Sequence, residues 1–337
     1  MAPLEPVGLP EARALALTCD LCQHRMQTVA DLLLLTSDTR PVRTASLSVF
    51  GESVARCRET VASRSRGLVV LLRDLAALIN RDPAMGMQEI RVCIEETCDL
   101  VVSLTECCAH AGYLLAVLQE GSTPEIPGPV DRYQLCRAAA EIEHKTGMLR
   151  TYRLHTVTAL QLTDICISVT EGANVLTDSC LKAADEAPEE NLREQFRLCL
   201  KSVAAAVNTF CGSIKFLKDR PTETNYRACQ VFGEALTTAC NALAVFATQD
   251  QSLTGKGAKL SQAGRDTLHT VLSGCMGVVS PCVLVCAVIH DLAMAVAAGC
   301  KGDGREEKAV ARVQQCQTAV VRSAARLAQA LGSEHTS

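Results

Sequence analysis

The side chains best equipped for chemistry in this chain are its cysteines, 19 among 337 residues. A thiolate is a strong nucleophile and a soft metal ligand, so their spacing is the first thing to weigh. Only Cys19 and Cys22 (CDLC, with His24 close by) have the separation of a metal-binding pair. No second CxxC or HxxxH completes a four-ligand set, and Met26 and Val29 share the pair's side of an amphipathic helical pattern. The expectation is therefore no metal. Cys57, Cys93, Cys166, Cys199, Cys240 and Cys316 each sit singly within apolar helical patterns. An odd, scattered set without a secretory signal is unlike a disulfide framework. Small buried hydrophobes in a reducing compartment are the expected role.

Acid–base and nucleophilic chemistry fares no better. His110 follows Cys107–Cys108 and His144 lies in EIEHK, but neither has a third group in sequence to orient it. One Cys near one His on a packed helix is more often core than catalytic dyad. The carboxylate pairs Glu95–Glu96 and Glu189–Glu190 read as solvated helix faces and first-turn charge. GxGxxG, P-loop, HExxH and GxSxG patterns are all missing. The sequence thus predicts no catalytic residues, no cofactor and no enzyme.

The elements that hold these residues are helices. Hydrophobic residues make up 48% of the chain, aromatics only 3%, and Trp is absent. A composition dominated by Ala, Leu and Val suits long packed helices rather than a β-sandwich or barrel. The net charge of −4 supplies no basic field for nucleic acid. The first residues, MAPLEPVGLPEAR, lack the basic and apolar regions of a secretory signal. Thr270 to Ile289, TVLSGCMGVVSPCVLVCAVI, carries no charge and is long enough to span a bilayer. Its glycines, serines and Pro281, without aromatic belts or flanking cations, argue instead for a bundle helix bent at Pro281 and enclosed by four neighbours.

Read in order, the pattern predicts helices over about 10–35, 52–80 and 87–118, with a loop at 37–50 and a break at Arg81-Asp82-Pro83. The segment EGSTPEIPGP (Glu120 to Pro129) then stops any helix. Four more helices follow, over about 130–152, 156–184, 189–217 and 222–248, with connections short enough for an up-down bundle. A second polar stretch, QDQSLTGKG, precedes the apolar helix, and a last helix runs over about 306–331 after Gly302-Asp303-Gly304. The predicted class is all-α: a five-helix bundle (1–121 and 256–337) with a four-helix bundle (128–250) inserted between its third and fourth helices, the alternative being two tandem domains that share the same breaks.

This arrangement resembles the talin rod, in particular its adjoining bundles where a four-helix module is inserted into a five-helix one. The segments that carry the resemblance are Met26 to Val42, Asp99 to Leu114, VDRY (130–133), REQF (193–196) and Gly274 to Leu284. It covers essentially the whole chain and departs at Pro281. It implies a cytoplasmic protein of the actin cytoskeleton that binds filamentous actin, self-associates as a homodimer through the four-helix module, and cross-links filaments. An alternative is an adaptor whose bundles take amphipathic helical peptides of adhesion or signalling proteins.

Two surfaces are candidates for these roles. On the helix near 189–217, Arg193, Arg197, Lys201, Lys215 and Lys218 fall within about 100° of one another, a basic stripe suited to an acidic filament. On the helix near 222–248, Phe232, Val231, Ala235 and Leu236 belong to an apolar stripe wider than one core requires, and are the candidate dimer interface.

Overall fold

The computed structural model describes residues 9–35, 53–81, 86–187, 189–249, 251–299 and 304–332. The loop expected at 37–50, most of the break after Arg81, Pro188 and the Gly302-Asp303 break lie outside the described residues. Nine long helices account for nearly all the rest: α1 (Leu9–Leu33), α2 (Val54–Arg81), α3 (Met87–Val117), α4 (Arg132–Thr151), α5 (Ala159–Glu186), α6 (Glu190–Asp219), α7 (Glu223–Gln249), α8 (Gln262–Ala297) and α9 (Arg305–Gly332). The all-α reading holds. Helix starts follow capping chemistry. Asp131 accepts from the Gln134 amide, Ser261 accepts from the Gly264 amide, and Thr158 and Gln161 form a reciprocal capping box.

The chain divides into two compact units. The first contains α1, α2, α3, α8 and α9, so it is assembled from segments on both sides of the second. Its helices pack in the ring α1–α8–α9–α2–α3, with α3 also lying along α8. Within this unit Thr123 and Lys259 exchange backbone hydrogen bonds of 2.8 and 3.1 Å, which brings the ends of α3 and the segment before α8 together. Gly264 begins α8 so close to the preceding chain that a methyl group there would lie 2.7 Å from the Ala116 carbonyl oxygen.

α8 does not run as its composition suggested. It packs along α1, α3 and α9 rather than being boxed by four neighbours, and Leu284 and Met294 on it are 48% and 46% exposed. The helix also continues through Pro281 without interruption. The more enclosed helix is α3. Of their most apolar stretches, 67% is buried in α3 against 39% in α8. An uncharged run of Gly, Ser, Ala and Val makes a thin helix that neighbours approach closely on one side, and small residues cost little on the other. By length and composition α3, α7 and α8 could each cross a membrane.

The second unit holds α4 to α7, each packed on the next and α7 back on α4. Its two ends run side by side: β1 (Ile126–Pro127) pairs antiparallel with β2 (Gly255–Lys256), and the Val130 amide donates to the Leu253 carbonyl. Gly255 adopts φ 73°, and a side chain on Gly128 would meet the Thr254 carbonyl carbon at 2.7 Å, so both positions need glycine. Phe196 and Phe210 anchor the core, Phe196 edge-on to Phe246 at 4.8 Å.

One buried polar group ties this bundle's corner. The Tyr226 hydroxyl reaches the carbonyls of Leu149 and Tyr152 at 2.5 and 2.8 Å, satisfying the end of α4. Burial pushes its phenol pKa up. Tyr226→Phe removes that shared donor, although Gln230 still donates to the Leu149 carbonyl at 3.0 Å, and is expected to cost about 1–2 kcal/mol, read as a lower denaturant midpoint with an unchanged slope.

Candidate functional site

The described cysteines support a packing role. Thirteen are buried, including Cys19 and Cys22 in the core of the first unit. Burial pushes the Cys19 thiol up, which disfavours the thiolate a metal needs. Among the described residues no three or more His, Cys, Asp and Glu side chains come together as a metal set. His110 and His144 are both buried within their bundles.

The basic stripe lies on α6, on the side that borders α5. Lys218 marks that side, its ammonium donating to the Thr163 hydroxyl at 2.9 Å. The five cations are not equivalent. Arg193 pairs with Glu190 at 3.0 Å and donates through Nε to the Ala187 carbonyl, holding the turn between α5 and α6. Arg197 is shared between Glu190 and Glu194 at 3.4 and 3.5 Å. Glu190 and Glu194 therefore offset much of the arginine charge. Lys201 and Lys215 are exposed farther along the helix, spread over about 20 Å at the helical rise.

The α7 candidates separate cleanly. Leu236 is fully buried and belongs to the bundle core, so it is unavailable to a partner. Val231 is 60% exposed, Phe232 37%, and Ala235 is exposed. The outer face extends well beyond these. At 100° per residue Val231, Ala235, Thr238, Ala242 and Val245 fall within about 80°, at heptad spacing. All five are exposed, Val245 at 57%. Phe232 lies two heptads before Phe246 on the side of α7 that meets α6.

Sequence reasoning missed the matching face on α6. Leu198, Ser202, Ala205, Thr209, Gly212 and Phe216 also fall within about 80° of one another. Phe216 is 68% exposed and Leu198 57%, although neither packs in the core. α6 and α7 are adjacent, so the two stripes lie on neighbouring helices, with the exposed Glu194 and Arg227 falling at the edge of each arc. The signal in the sequence was the repeat of seven through small polar residues, which interrupts the hydrophobicity without interrupting the shape. Only 33% of the most apolar stretch of α7 is buried in its own bundle. Monomeric proteins seldom leave so extended an apolar face bare.

A different surface occurs on the first unit. Between α2 and α3 a cleft of about 760 Å³ has Gly67, Val70, Leu71 and Leu100 along it and Arg64, Arg66, Glu96 and Asp99 around it. An apolar seam with charged rims is the form an amphipathic helix fits.

These bundles have relatives of low identity. The chain is similar to talin. Over 256 residues, 76% of this chain, it is 24% identical to talin-1 of Gallus gallus, of which it covers 9%. Over 230 residues, 68% of the chain, it is 25% identical to talin of Oscarella pearsei, covering 8% of that protein. The chain thus spans less than a tenth of the length of either relative. No family model matches it. Together with the nine described helices, the likeness supports a talin-rod-like helical bundle.

Proposed function

We propose that this chain is a non-enzymatic cytoskeletal protein that binds filamentous actin and, as a homodimer through its four-helix unit, cross-links the filaments. The observation that carries the reading is the uncovered α6–α7 face. Heptad-spaced small and apolar residues on two adjacent helices suit a two-fold partner with the same face, because each ridge can fill the other copy's groove. A second copy at that face leaves the α5 side of α6, with its lysines, open to an acidic filament. Two such surfaces on a dimer are what cross-linking requires. The likeness to talins favours a cytoplasmic location at the actin cytoskeleton.

Sedimentation separates binding from cross-linking. The full chain mixed with filaments is expected to pellet with them at high speed and to bring them down at low speed, where single filaments stay in solution. Raising salt from 50 to 200 mM, chosen about a physiological ionic strength, should weaken the binding markedly if lysines make it. No pelleting at either speed would overturn the actin reading.

The α2–α3 cleft favours a second reading, an adaptor that takes an amphipathic helix of an adhesion or signalling protein. Its signature would be saturable binding of a helical peptide lost on filling the cleft at Gly67, where a methyl group would already stand 3.1 Å from Leu100.

A further inference from the structure

Among the described residues, most close thiol pairs are sealed in the core. Cys282 and Cys316 have their sulfurs 3.8 Å apart, but neither is more than 1% exposed, so an oxidant in solvent has no path to them. Cys166 and Cys211 differ. Cys166 lies on α5 and Cys211 on α6, both are partly exposed, and their thiols are close enough to shift one another's ionisation. Thr170 spans the two helices at this level. Its hydroxyl donates to the Cys166 carbonyl at 2.7 Å and lies 3.9 Å from the Cys211 sulfur. Beside Cys211, a methyl group added to Gly212 would meet nothing within 4 Å, so the approach is open.

We propose that Cys166 and Cys211 are a peroxide-responsive dithiol that closes into a disulfide between α5 and α6. Cys211 is the attacking sulfur. The interaction with Cys166 outweighs partial burial and lowers its pKa to about 6, whereas that same interaction raises Cys166. A thiolate with that exposure is the form that reacts with peroxides. In the first step the Cys211 thiolate forms an S–O bond to hydrogen peroxide and the O–O bond breaks. Hydroxide leaves and takes up a proton as water, and Cys211 becomes a sulfenic acid. The Cys166 sulfur then attacks the Cys211 sulfur, the S–S bond forms, the S–O bond breaks, and the hydroxyl leaves with the Cys166 proton as a second water. Each sulfur gives up one electron and the peroxide accepts two. The product cross-links two neighbouring helices across a loop of about 45 residues, which constrains the unfolded chain and resists separation of α5 from α6.

The test uses the full chain, reduced, freed of reductant and then exposed to equimolar hydrogen peroxide. Peptide mapping under non-reducing conditions is expected to give a Cys166–Cys211 linked pair, lighter by two hydrogens, as the first oxidation product. The thermal midpoint should rise by several degrees and fall back on reduction. Cys166→Ser should leave a sulfenic acid at Cys211 that dimedone traps, and Cys211→Ser should abolish both the link and the trap. First oxidation at Cys93, Cys136 or Cys199, or a Cys211 oxide with no link in the wild-type chain, would overturn the proposal. The wild-type map decides this even if a variant fails to fold.

Discussion

Phe232→Asp is expected to give a folded monomer that still pellets with filaments at high speed and no longer brings them down at low speed. Phe232 is 37% exposed at the junction of α6 and α7, beside Val231 and Ala235. Its ring is too exposed to be core and too covered to be an incidental surface residue. Aromatic anchors of this kind carry about 2–4 kcal/mol of an interface, so dimer affinity should fall at least about 30-fold. Aspartate would also place an unpaired charge inside the closed interface. Because part of the ring packs within the bundle, a second variant guards the interpretation. Val231→Asp with Val245→Asp alters side chains 60% and 57% exposed, which the bundle itself barely uses. Monomer from both variants, with unchanged helical circular dichroism, supports the face. Dimer retained in the valine pair would place the interface elsewhere.

Reversing the lysines of α6 should be the larger of two charge effects. Lys201→Glu with Lys215→Glu is expected to lower filament affinity by about tenfold or more, since two exposed cations become anions on one face. Arg193→Glu with Arg197→Glu should do less to binding, because Glu190 and Glu194 already offset those arginines. It should do more to stability, by about 1 kcal/mol or more, because the Arg193 bond to the Ala187 carbonyl is lost and the two new carboxylates join Glu190 and Glu194 at one helix start. The two double variants therefore separate a binding surface from a structural one. Equal binding by both and by the wild-type chain would remove α6 from the filament contact.

Much of the fold was legible because nine apolar stripes of helical period, punctuated by proline-rich and polar breaks, leave an all-α bundle as the only way to bury them. What was illegible turned on which edge of a stripe faces inward. Leu236 and Ala235 are neighbours in sequence, yet one is core and the other open, because successive residues are about 100° apart on a helix. A wide apolar arc suits a second neighbour without saying which residues would meet it. The α6 face escaped notice for a related reason. Leu198 and Phe216 are linked by Ser202, Ala205, Thr209 and Gly212, which count as polar or neutral in a hydrophobic pattern but pack closely. The thin, uncharged α8 misled in the opposite direction, since lack of charge measures cost of burial and not burial itself. The Cys166–Cys211 pair could not be read at all, because its partners are brought together only by the antiparallel pairing of α5 and α6.

The central claim is that the outer face of α6 and α7 is covered by a second copy of the chain. Multi-angle light scattering on the purified full chain during size-exclusion chromatography measures this directly. Twice the 36.0 kDa chain mass is the expected result, holding on dilution into the low micromolar range. A peak at 36.0 kDa throughout that range would contradict the account.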